Sequence, residues 1–484
     1  MLASELFGAN WKWEDAEITD ITINSKEVKS GSVFICIQGQ STDGHNFANQ
    51  AAENGAIAVV AEKEITCSCP VIICDNTKME MAKIASRFYG QPEKKLKLIG
   101  ITGTNGKTTV SYLIKSILET AGKRVGIIGT NEILVGDDPV GIKSSTPTTP
   151  NSLELHKIFA KMLKMGAEFV VMEVSSHALD LYRVYGLSYD AGVFTNLTRD
   201  HLDYHKTMEN YFLAKAKLFD MCKVGVINTD DEYGKRLKSI GKSKKLTVGT
   251  KDAELLAEDI AIDENGVTFS VNYGGENQKI ELEISGMFSV YNALCALGAA
   301  TSCGIDLKTA KEGLKNAKGV KGRLERVPIG TDYTVIIDYA HTPDGLENVL
   351  NTVNSFKKGR LIAVFGCGGD RDATKRPIMG DIGTRLSDIA VITSDNPRTE
   401  DPQKIIDDIL KGADRENYKV ITDRREAIGY ALSLAKKDDV VLLLGKGQET
   451  YQILGTEKIH FDEREIVKEF LEKQNAEIKC SGHN

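Results

Sequence analysis

The chain has 484 residues, of which 41% are hydrophobic and 27% are charged, and its formal net charge at pH 7 is −7. This composition is typical of a globular protein, and the length predicts about three domains. The acidic balance argues against nucleic acid as the main partner, because no surplus of Lys and Arg is available to neutralise phosphates. No stretch of the sequence approaches the ~20 apolar residues that cross a bilayer.

The N-terminal and cysteine patterns bear on the compartment. The first ten residues contain neither a basic segment nor an apolar one, so we expect no secretory signal. The nine cysteines are scattered, which is typical of a reducing compartment. Cys67, Cys69 and Cys74 lie close together, but no partner with zinc-site spacing accompanies them. We therefore expect a cytoplasmic protein without membrane insertion.

Short apolar strands alternate with amphipathic helices in three successive units, which predicts an α/β fold with mostly parallel sheets. The units span residues 1–95, 96–326 and 327–484. Period-two alternation around Glu264, Asn265 and Gly266 predicts an antiparallel section at the edge of the second unit. The predicted strands are Val33–Ile37, Ile57–Ala61, Val71–Cys74, Leu96–Ile101, Val125–Ile128, Phe169–Met172, Gly192–Thr195, Val224–Ile227, Thr334–Ile337, Leu361–Phe365, Ile389–Thr393 and Val440–Leu444.

The segment Gly100–Thr109 reads G-I-T-G-T-N-G-K-T-T and lies between an apolar strand and an amphipathic helix. A glycine turn that opens a helix directs several backbone N–H groups at one place, where they can bind a phosphate. Lys107 can then reach the terminal phosphates, and the Thr108 hydroxyl can ligate Mg²⁺. The string departs from the strict P-loop pattern, because only two residues separate Gly103 from Gly106. We predict a nucleoside triphosphate site; the alternative is a tight turn with an incidental lysine.

Polar residues follow four predicted strands, at the carboxyl ends where open parallel sheets bind ligands. The strings E-V-S-S-H, N-L-T-R-D-H-L-D, D-Y-A-H and G-C-G-G-D-R-D begin at residues 173, 196, 338 and 366. Carboxylates and imidazoles beside a triphosphate are natural ligands for a divalent metal. Taken alone, His201 would more often be a core histidine. Composition alone predicts that Lys215, on a helical stretch with one apolar face, is solvated.

Six strings resemble motifs of the Mur ligases of peptidoglycan synthesis: G-T-N-G-K-T-T, E-V-S-S-H, N-L-T-R-D-H-L-D-Y-H, V-K-G-R-L-E, D-Y-A-H-T-P and G-C-G-G-D-R-D. The similarity runs from about residue 18 to residue 466. It implies three domains: a UDP-sugar-binding α/β domain over residues 1–95, a central P-loop domain with a parallel sheet that binds ATP over 96–326, and a Rossmann-like amino-acid-binding domain over 327–484. It also implies an ATP-dependent amide ligase that works through an acyl phosphate.

The resemblance implies roles for individual residues around ATP and Mg²⁺. Lys107, Lys215 and His201 would be catalytic, with Lys215 carbamylated so that it presents two oxygens instead of a cation. Its pKa must then be lowered by burial or by nearby positive charge, because only the neutral amine adds CO₂. Mg²⁺ would be held by Thr108, Glu173, His201 and the Lys215 carbamate. ATP would be held by Gly103, Thr104, Asn105, Gly106, Lys107, Thr108, Thr109, Asn292, Arg323 and Asp338.

The resemblance also implies two further substrates. UDP-MurNAc-L-Ala-D-Glu would be bound by Ser25, His45, Thr148, Thr149, Ser175 and Arg183. The acceptor would be meso-diaminopimelate, bound by Arg371, Asp395, Asn396, Pro397, Arg398, Gly445 and Glu449. Arg398 suits this acceptor because diaminopimelate differs from lysine by a distal carboxylate, which Arg recognises in a planar, bidentate way. Glu449 would pair with the distal ammonium.

Three alternatives stay open at this point. A lysine-adding ligase of the same family would share the first two domains and differ in the third. A folylpolyglutamate synthase also ligates an amino acid through an acyl phosphate, although the uridine-type first domain and the D-H-L-D-Y-H run speak against it. A nucleotide-binding scaffold without turnover would have no reason to keep Lys107, Glu173, His201 and Lys215 together. We expect a monomer whose domains close about linkers near residues 95 and 326.

Overall fold

The computed structural model describes residues 1–39, 42–263 and 265–481. In this part of the chain, three successive α/β units each form their own mostly parallel sheet, which confirms the predicted fold class. None of the helices described is long and apolar enough to cross a membrane.

The first unit is a four-stranded parallel sheet with helices on both faces. Its strands are β1 (Asp20–Thr22), β2 (Ser32–Ile35), β3 (Ala56–Ala61) and β4 (Val71–Ile73), and its helices are α1 (Ala3–Phe7), α2 (Ala48–Glu53) and α3 (Thr77–Phe88). The strands lie in sequence order. Along β2, Val33 and Ile35 pack in the cluster that contains α3, whereas Phe34 packs in the cluster that contains α2. Successive side chains of a strand point to opposite faces, so both faces are buried.

The second unit is built on an eleven-stranded sheet. Its strands are β5 (Lys97–Thr102), β6 (Val125–Ile128), β7 (Ile133–Val135), β8 (Asp138–Pro139), β9 (Phe169–Glu173), β10 (Tyr189–Phe194), β11 (Cys222–Asn228), β12 (Lys244–Gly249), β13 (Leu255–Asp263), β14 (Gly266–Tyr273) and β15 (Glu276–Leu282). The central strand β5 pairs in parallel with β10 on one side and β9 on the other. The segments that follow these three strands therefore meet at one edge of the sheet.

Antiparallel strands occupy the end of this sheet where the sequence pattern predicted them. β13 pairs with β14, and β14 pairs with β15, both antiparallel. This confirms the predicted antiparallel edge. Of the three residues at the predicted turn, Glu264 lies outside the described residues.

Helices cover both faces of the second sheet. They are α4 (Lys107–Thr120), α5 (Ser152–Lys164), α6 (Ser176–Asp180), α7 (Leu202–His205), α8 (Met208–Ala216), α9 (Glu232–Leu237), α10 (Met287–Ser302) and α11 (Leu307–Lys315). Helix α4 buries the predicted apolar face, including Val110, Leu113 and Ile117, against α10 and α11. This packing holds the start of α4, and hence the glycine loop, at the carboxyl end of β5.

The third unit has a six-stranded sheet and a separate hairpin. Its strands are β16 (Glu325–Arg326), β17 (Thr334–Asp338), β18 (Leu361–Phe365), β19 (Ile389–Ile392), β20 (Tyr418–Val420), β21 (Val440–Leu444), β22 (Tyr451–Leu454) and β23 (Glu457–His460). Its helices are α12 (Pro343–Phe356), α13 (Lys375–Leu386), α14 (Pro402–Leu410), α15 (Arg424–Leu434) and α16 (Glu463–Ser481). The sheet order is β16-β17-β21-β18-β19-β20, with β17 to β20 parallel to β21.

The first strand of this third sheet begins ahead of residue 327. β16 pairs antiparallel with β17, with Glu325 opposite Ile337. The preceding segment was expected to belong to the second unit, but a strand belongs with the sheet to which it is hydrogen-bonded. We therefore propose that the third unit begins before Glu325.

Candidate active site

A cavity of about 560 Å³ lies between the second and third units. Its walls come from the carboxyl ends of parallel strands in both sheets, as expected for ligand sites in α/β proteins. The candidate site residues that line it are Thr104, Asn105, Gly106, Lys107, Thr108, Thr109, Thr148, Glu173, His201, Asn292, Arg323, Asp338, Arg371, Asp395, Asn396, Arg398, Gly445 and Glu449. One cavity thus brings together most of the residues assigned to ATP, to metal and to the acceptor, whereas Gly103, Lys215 and Pro397 do not line it.

The glycine loop connects β5 to α4 and is fixed by the segment that follows β10. Backbone N–H groups of Thr104 and Asn105 donate to the carbonyl and to Oδ1 of Asn196, at 3.0 and 2.9 Å. Thr195 Oγ1 donates to the carbonyl of Asn105 at 2.7 Å. Gly103 has a φ of +151°, and a Cβ there would collide with Thr195 Oγ1, so only glycine fits. These contacts fix the backbone of the loop at the carboxyl end of β5.

Two lysines converge on a single carbonyl of this loop. The Lys107 ammonium donates to the carbonyls of Gly103 and Thr104, at 3.0 and 2.8 Å, and Lys215 Nζ donates to the Gly103 carbonyl at 2.8 Å. Lys215 is only 2% exposed, so the prediction of a solvated lysine is wrong. Burial, and then the nearby Lys107, lower the pKa of Lys215 well below its usual value. Burial also lowers the pKa of Lys107.

Glu173, at the end of β9, connects the glycine loop to the neighbouring strand. Its carboxylate accepts hydrogen bonds from Thr108 Oγ1 at 2.9 Å and from the Thr130 N–H and hydroxyl, both at 3.0 Å. The side chain is almost fully buried at this position. Carboxylate and hydroxyl oxygens side by side are the donor set that Mg²⁺ prefers. Within the described ranges, His, Cys, Asp and Glu side chains alone form no group of three or more that could hold a metal ion.

His201 lies on the cavity wall among other imidazoles. It is in the left-handed region, with a φ of +54°, immediately before α7. Its ring centroid is 5.0 Å from that of His177, and its Nε2 is 3.4 Å from a carboxylate oxygen of Asp200. Desolvation in the cleft, helped by His177 and Lys215, lowers the pKa of His201 to about 4, against the opposing effect of Asp200. The imidazole is therefore neutral near pH 7, as a metal ligand must be.

The junction between the second and third units passes directly beside the loop. Arg323 Nη2 donates to Thr108 Oγ1 at 3.4 Å, and its guanidinium stacks 4.6 Å from the centroid of the Tyr339 ring. Both carboxylate oxygens of Asp338 accept backbone hydrogen bonds, from Leu324 and Ala340 at 2.7 Å each. Burial raises the pKa of Asp338. Asp338 thus fixes the chain where the two units meet.

The residues assigned to the sugar nucleotide fall into two groups. Thr149 Oγ1 donates to the Glu173 carbonyl at 2.9 Å and accepts from the Ser175 N–H at 3.1 Å, while Arg183 donates to the Thr149 carbonyl at 3.0 Å. Thr148, with a φ of +65°, precedes them and contacts the Thr130 hydroxyl. These residues therefore lie together beside Glu173.

Ser25 and His45 belong to the first unit, and their polar atoms are used inside it. Ser25 Oγ donates to Gln50 Oε1 at 3.0 Å. The His45 ring contacts the Asp43 carboxylate through Nδ1 and accepts the Glu62 N–H at Nε2, at 3.0 Å. No hydrogen bond described for this part of the chain joins either residue to the group beside Glu173. Their local role is to fix the turns of the first unit.

The residues assigned to the acceptor come from loops after β18, β19 and β21. Arg398, with a φ of +53°, donates to the Gly369 carbonyl at 2.7 Å. Its pKa is lowered by burial and then by the positive charge of Arg371.

Asn396 Nδ2 donates to Glu449 Oε2 at 2.9 Å. A Cβ on Gly445 would lie 2.5 Å from Asp395 Oδ2, so glycine is required there. Pro397 lies in the same turn but not on the cavity wall.

Several cavity residues were not identified from the sequence. Asn196 fixes the glycine loop, and Asp344 accepts from Asn105 Nδ2 at 2.8 Å across the two units. Lys375 is buried and donates to the carbonyl of His341 at 2.9 Å. Asn196 stands in a string that the sequence analysis did single out, N-L-T-R-D-H-L-D, whereas Asp344 and Lys375 carry no local signal, because their partners are distant in sequence.

Sequence comparisons identify the class of protein. The chain matches the Mur ligase middle domain over residues 101–300, the Mur ligase glutamate ligase domain over 322–447 and the Mur ligase family catalytic domain over 17–89. The chain therefore belongs to the Mur ligase family.

Particular members of the family are similar over nearly the whole chain. The UDP-N-acetylmuramoyl-L-alanyl-D-glutamate–2,6-diaminopimelate ligase of Clostridium botulinum is 49% identical over 465 residues, covering 94% of this chain and 96% of the relative. The enzyme of the same name from Bacillus cereus is 47% identical over 468 residues, covering 95% of each. A solved structure of a ligase of this name is 33% identical, with a TM-score of 0.67 and 95% of each chain covered.

More distant solved structures share the fold. A MurF ligase from Thermotoga maritima in complex with ADP is 19% identical, with a TM-score of 0.63, and covers 94% of this chain and 97% of its own. A folylpolyglutamate synthase from Mycobacterium tuberculosis, also 19% identical with a TM-score of 0.63, covers 76% of this chain and 92% of its own. At this identity the likeness concerns the fold alone.

Asn196 provides a test of the glycine loop. We expect Asn196→Ala to weaken ATP binding about 10-fold, because the lost amide hydrogen bonds are worth about 1–1.5 kcal/mol and no longer hold the Asn105 backbone in place. Isothermal titration calorimetry with ATP would measure the dissociation constant. Asn316→Ala, at the exposed end of α11, is the matched control and should bind ATP normally. An unchanged dissociation constant in Asn196→Ala would show that the loop does not depend on this clamp.

Proposed function

We propose that this chain is an ATP-dependent amide ligase that joins meso-diaminopimelate to the γ-carboxylate of D-glutamate in UDP-MurNAc-L-Ala-D-Glu. The observation that carries the proposal is the cavity in which the glycine loop of the second unit faces Arg398 and Glu449 of the third. Family membership and relatives 47–49% identical over most of the chain support the same activity. The lysine-adding alternative lacks such support.

The reaction requires activation because a carboxylate is a poor electrophile. Transfer of the γ-phosphoryl group of ATP to the glutamate carboxylate gives an acyl phosphate and ADP. The amine of diaminopimelate attacks the acyl carbon, and the tetrahedral intermediate collapses to the amide and phosphate. Positioning the groups and stabilising phosphoryl charge supply most of the catalysis in such transfers.

The second unit carries the groups for the phosphoryl step. The glycine loop leads directly into α4 at Lys107, and the start of a helix is a place where phosphates bind well. On binding, the phosphates replace the loop carbonyls as partners of Lys107, whose ammonium then stabilises the transferring group. Arg323, beside Thr108, adds a second positive charge on the side of the third unit. Thr148, Thr149, Ser175 and Arg183 would hold the muramoyl peptide, and Ser25 and His45 would hold the uridine diphosphate.

The donor set fits Mg²⁺. Thr108, Glu173 and His201 line one cavity, and Thr108 already contacts the Glu173 carboxylate. A carbamate on Lys215 would add two anionic oxygens to this set. When bound, Mg²⁺ supplies charge neutralisation for the phosphoryl oxygens. Burial beside another cation lowers the pKa of Lys215 well below its usual value, which favours the neutral amine that adds CO₂.

The acceptor end favours diaminopimelate over lysine. Arg371 and Arg398 provide two guanidinium groups at the third-unit end of the cavity, and Glu449 provides a carboxylate nearby. Diaminopimelate carries a distal carboxylate and a distal ammonium on one carbon, and these two groups complement the charges of the arginines and of Glu449. Lysine would leave the Arg398 guanidinium without an anion, and unpaired polar groups of this kind discriminate strongly between substrates.

We also propose that the enzyme works as a monomer in the cytoplasm. The eight cysteines whose side chains the structure describes are free thiols, which suits a reducing compartment.

Substrate-dependent ADP release tests the proposed function. With ATP and UDP-MurNAc-L-Ala-D-Glu present, we expect turnover on adding meso-diaminopimelate and at least 100-fold lower kcat/KM with L-lysine, because of Arg398. Arg398→Ala should lose most of this preference. Turnover with lysine only would overturn the acceptor assignment, and ATP binding without ADP release in either case would favour a non-catalytic scaffold.

Chemical rescue tests the role of Lys215. We expect Lys215→Ala to be nearly inactive and to regain part of its rate when a short carboxylate such as acetate is added, since the carboxylate replaces the carbamate oxygens. Lys217→Ala is the matched control. Lys217 is an exposed lysine two residues from Lys215, and we expect this variant to be active without added carboxylate. Failure of any carboxylate to restore activity in a folded Lys215→Ala variant would count against the carbamate.

A further inference from the structure

We infer that Lys446 is a positioning residue that holds Glu449 and Asn396 in place for the acceptor and sets the preference for diaminopimelate over lysine. The inference rests on the proposed function. Lys446 follows β21 in the string G-K-G-Q-E, and nothing in the mechanism above uses it.

The Lys446 side chain has no contact with the cavity. It is completely buried, and its Nζ donates to Asn396 Oδ1 at 3.2 Å and to Glu449 Oε2 at 3.1 Å. The rings of Tyr451 and Phe461 lie 5.7 Å from Nζ, measured to their centroids. Because the ammonium is enclosed by these four residues, it can affect a ligand only through the two that line the cavity, Asn396 and Glu449.

The network leaves the Asn396 amide a single orientation. Its Oδ1 accepts from Lys446 and from the Ile453 N–H at 3.0 Å, and its Nδ2 donates to Glu449 Oε2 at 2.9 Å. Glu449 Oε2 is therefore occupied twice, by Lys446 and by Asn396. Among the described residues, the contact of its other oxygen, Oε1, is with the Tyr451 hydroxyl at 3.4 Å. Oε1 is thus the oxygen that remains to accept from a ligand ammonium.

The same contact limits what Glu449 can bind. A buried ammonium 3.1 Å from the carboxylate neutralises much of its charge, so Glu449 alone is a weak partner for a second ammonium. Lysine offers the site only that ammonium. Diaminopimelate also offers a carboxylate, which Arg398 can pair. Lys446 therefore aligns Glu449 for diaminopimelate and at the same time weakens the hold of Glu449 on lysine.

A merely structural lysine would give a different pattern of defects. Loss of packing in the third unit would lower the melting temperature and would alter the KM values of all substrates or kcat alone. A residue that positions Glu449 and Asn396 affects only the binding of the acceptor. We therefore expect a change in the KM for diaminopimelate and in the preference for diaminopimelate over lysine, with little change in the KM for ATP.

The test is a double-mutant cycle on the full-length enzyme, followed by ADP release. Lys446→Met should raise the KM for diaminopimelate about 10- to 100-fold, as expected for a lost charged hydrogen bond, and leave the KM for ATP within about twofold. The ratio of kcat/KM for diaminopimelate to that for lysine should fall at least 10-fold. In a Glu449→Gln background, Lys446→Met should add less than about threefold, because Lys446 then has no carboxylate to position. Lys458→Met is the matched control: Lys458 is exposed and lies over the Tyr451 ring, 3.4 Å from its centroid.

The outcomes separate this inference from the proposed function. Unchanged diaminopimelate KM and acceptor preference in Lys446→Met, or an equally large effect in the Glu449→Gln background, would overturn the role of Lys446. If Lys446→Met does not fold, the double variant Lys446→Met/Glu449→Gln is compared with Glu449→Gln alone. The double variant leaves no buried carboxylate unpaired, so this comparison tests the role of Lys446. If the wild-type enzyme shows no turnover with diaminopimelate, the proposed function fails. Calorimetric binding of diaminopimelate to the wild type and to Lys446→Met then tests the role of Lys446. If the wild type does not bind diaminopimelate, both the proposed function and this role are overturned.

Discussion

The rest of the site depends on two hydrogen bonds, which Lys107 and Lys215 donate to the same carbonyl oxygen of Gly103. Ammonium groups on the half-buried Lys107 and the buried Lys215, both donating to one oxygen, repel each other strongly in a medium of low dielectric. The conflict is relieved by deprotonation of Lys215, by an anion beside Lys107, or by both. The loop therefore favours a phosphate on one side and a neutral, reactive amine on the other. The same constraint prepares the two groups that the proposed phosphoryl transfer needs.

The second constraint is topological. Because β9, β5 and β10 are parallel neighbours, the loop, Glu173 and the segment from Asn196 to His201 must emerge at one edge. The third sheet presents its own carboxyl edge to the same cavity, with Arg323 and Asp338 at the junction. Neither unit could perform the proposed ligation alone, since one would hold the phosphoryl donor and the other the attacking amine. Closure of the junction would then control whether the two meet.

Much of the fold could be predicted from the sequence because its signals are local. Buried parallel strands are short apolar runs, and the glycine loop is a continuous string. The strand β16 escaped prediction because two residues carry no periodicity; only pairing with β17 defines it. Lys215 was predicted from composition to be solvated, and only its resemblance to a family position pointed to the buried amine. Its burial comes from the Gly103 loop, 112 residues away in sequence.

The site residues missed from the sequence share one property. Asp344 and Lys375 act through partners in distant segments, Asn105 and His341, so that no spacing in the sequence relates them. The assignments of Ser25 and His45 to the sugar nucleotide come from resemblance, whereas their visible contacts are inside the first unit. Sequence motifs thus identify ligand-contacting residues more readily than they identify the residues that hold the ligand-contacting residues in position.

In the proposed reaction, ATP held at the glycine loop transfers a phosphoryl group to a carboxylate and so activates it. The most direct measurement uses UDP-MurNAc-L-Ala-D-Glu with ¹⁸O in the γ-carboxylate, turned over with ATP and meso-diaminopimelate, followed by mass spectrometry of the phosphate released. An acyl phosphate predicts one ¹⁸O atom in each phosphate formed, because the carboxylate oxygen leaves with the phosphoryl group. Phosphate without ¹⁸O, released together with the amide product, would contradict the account.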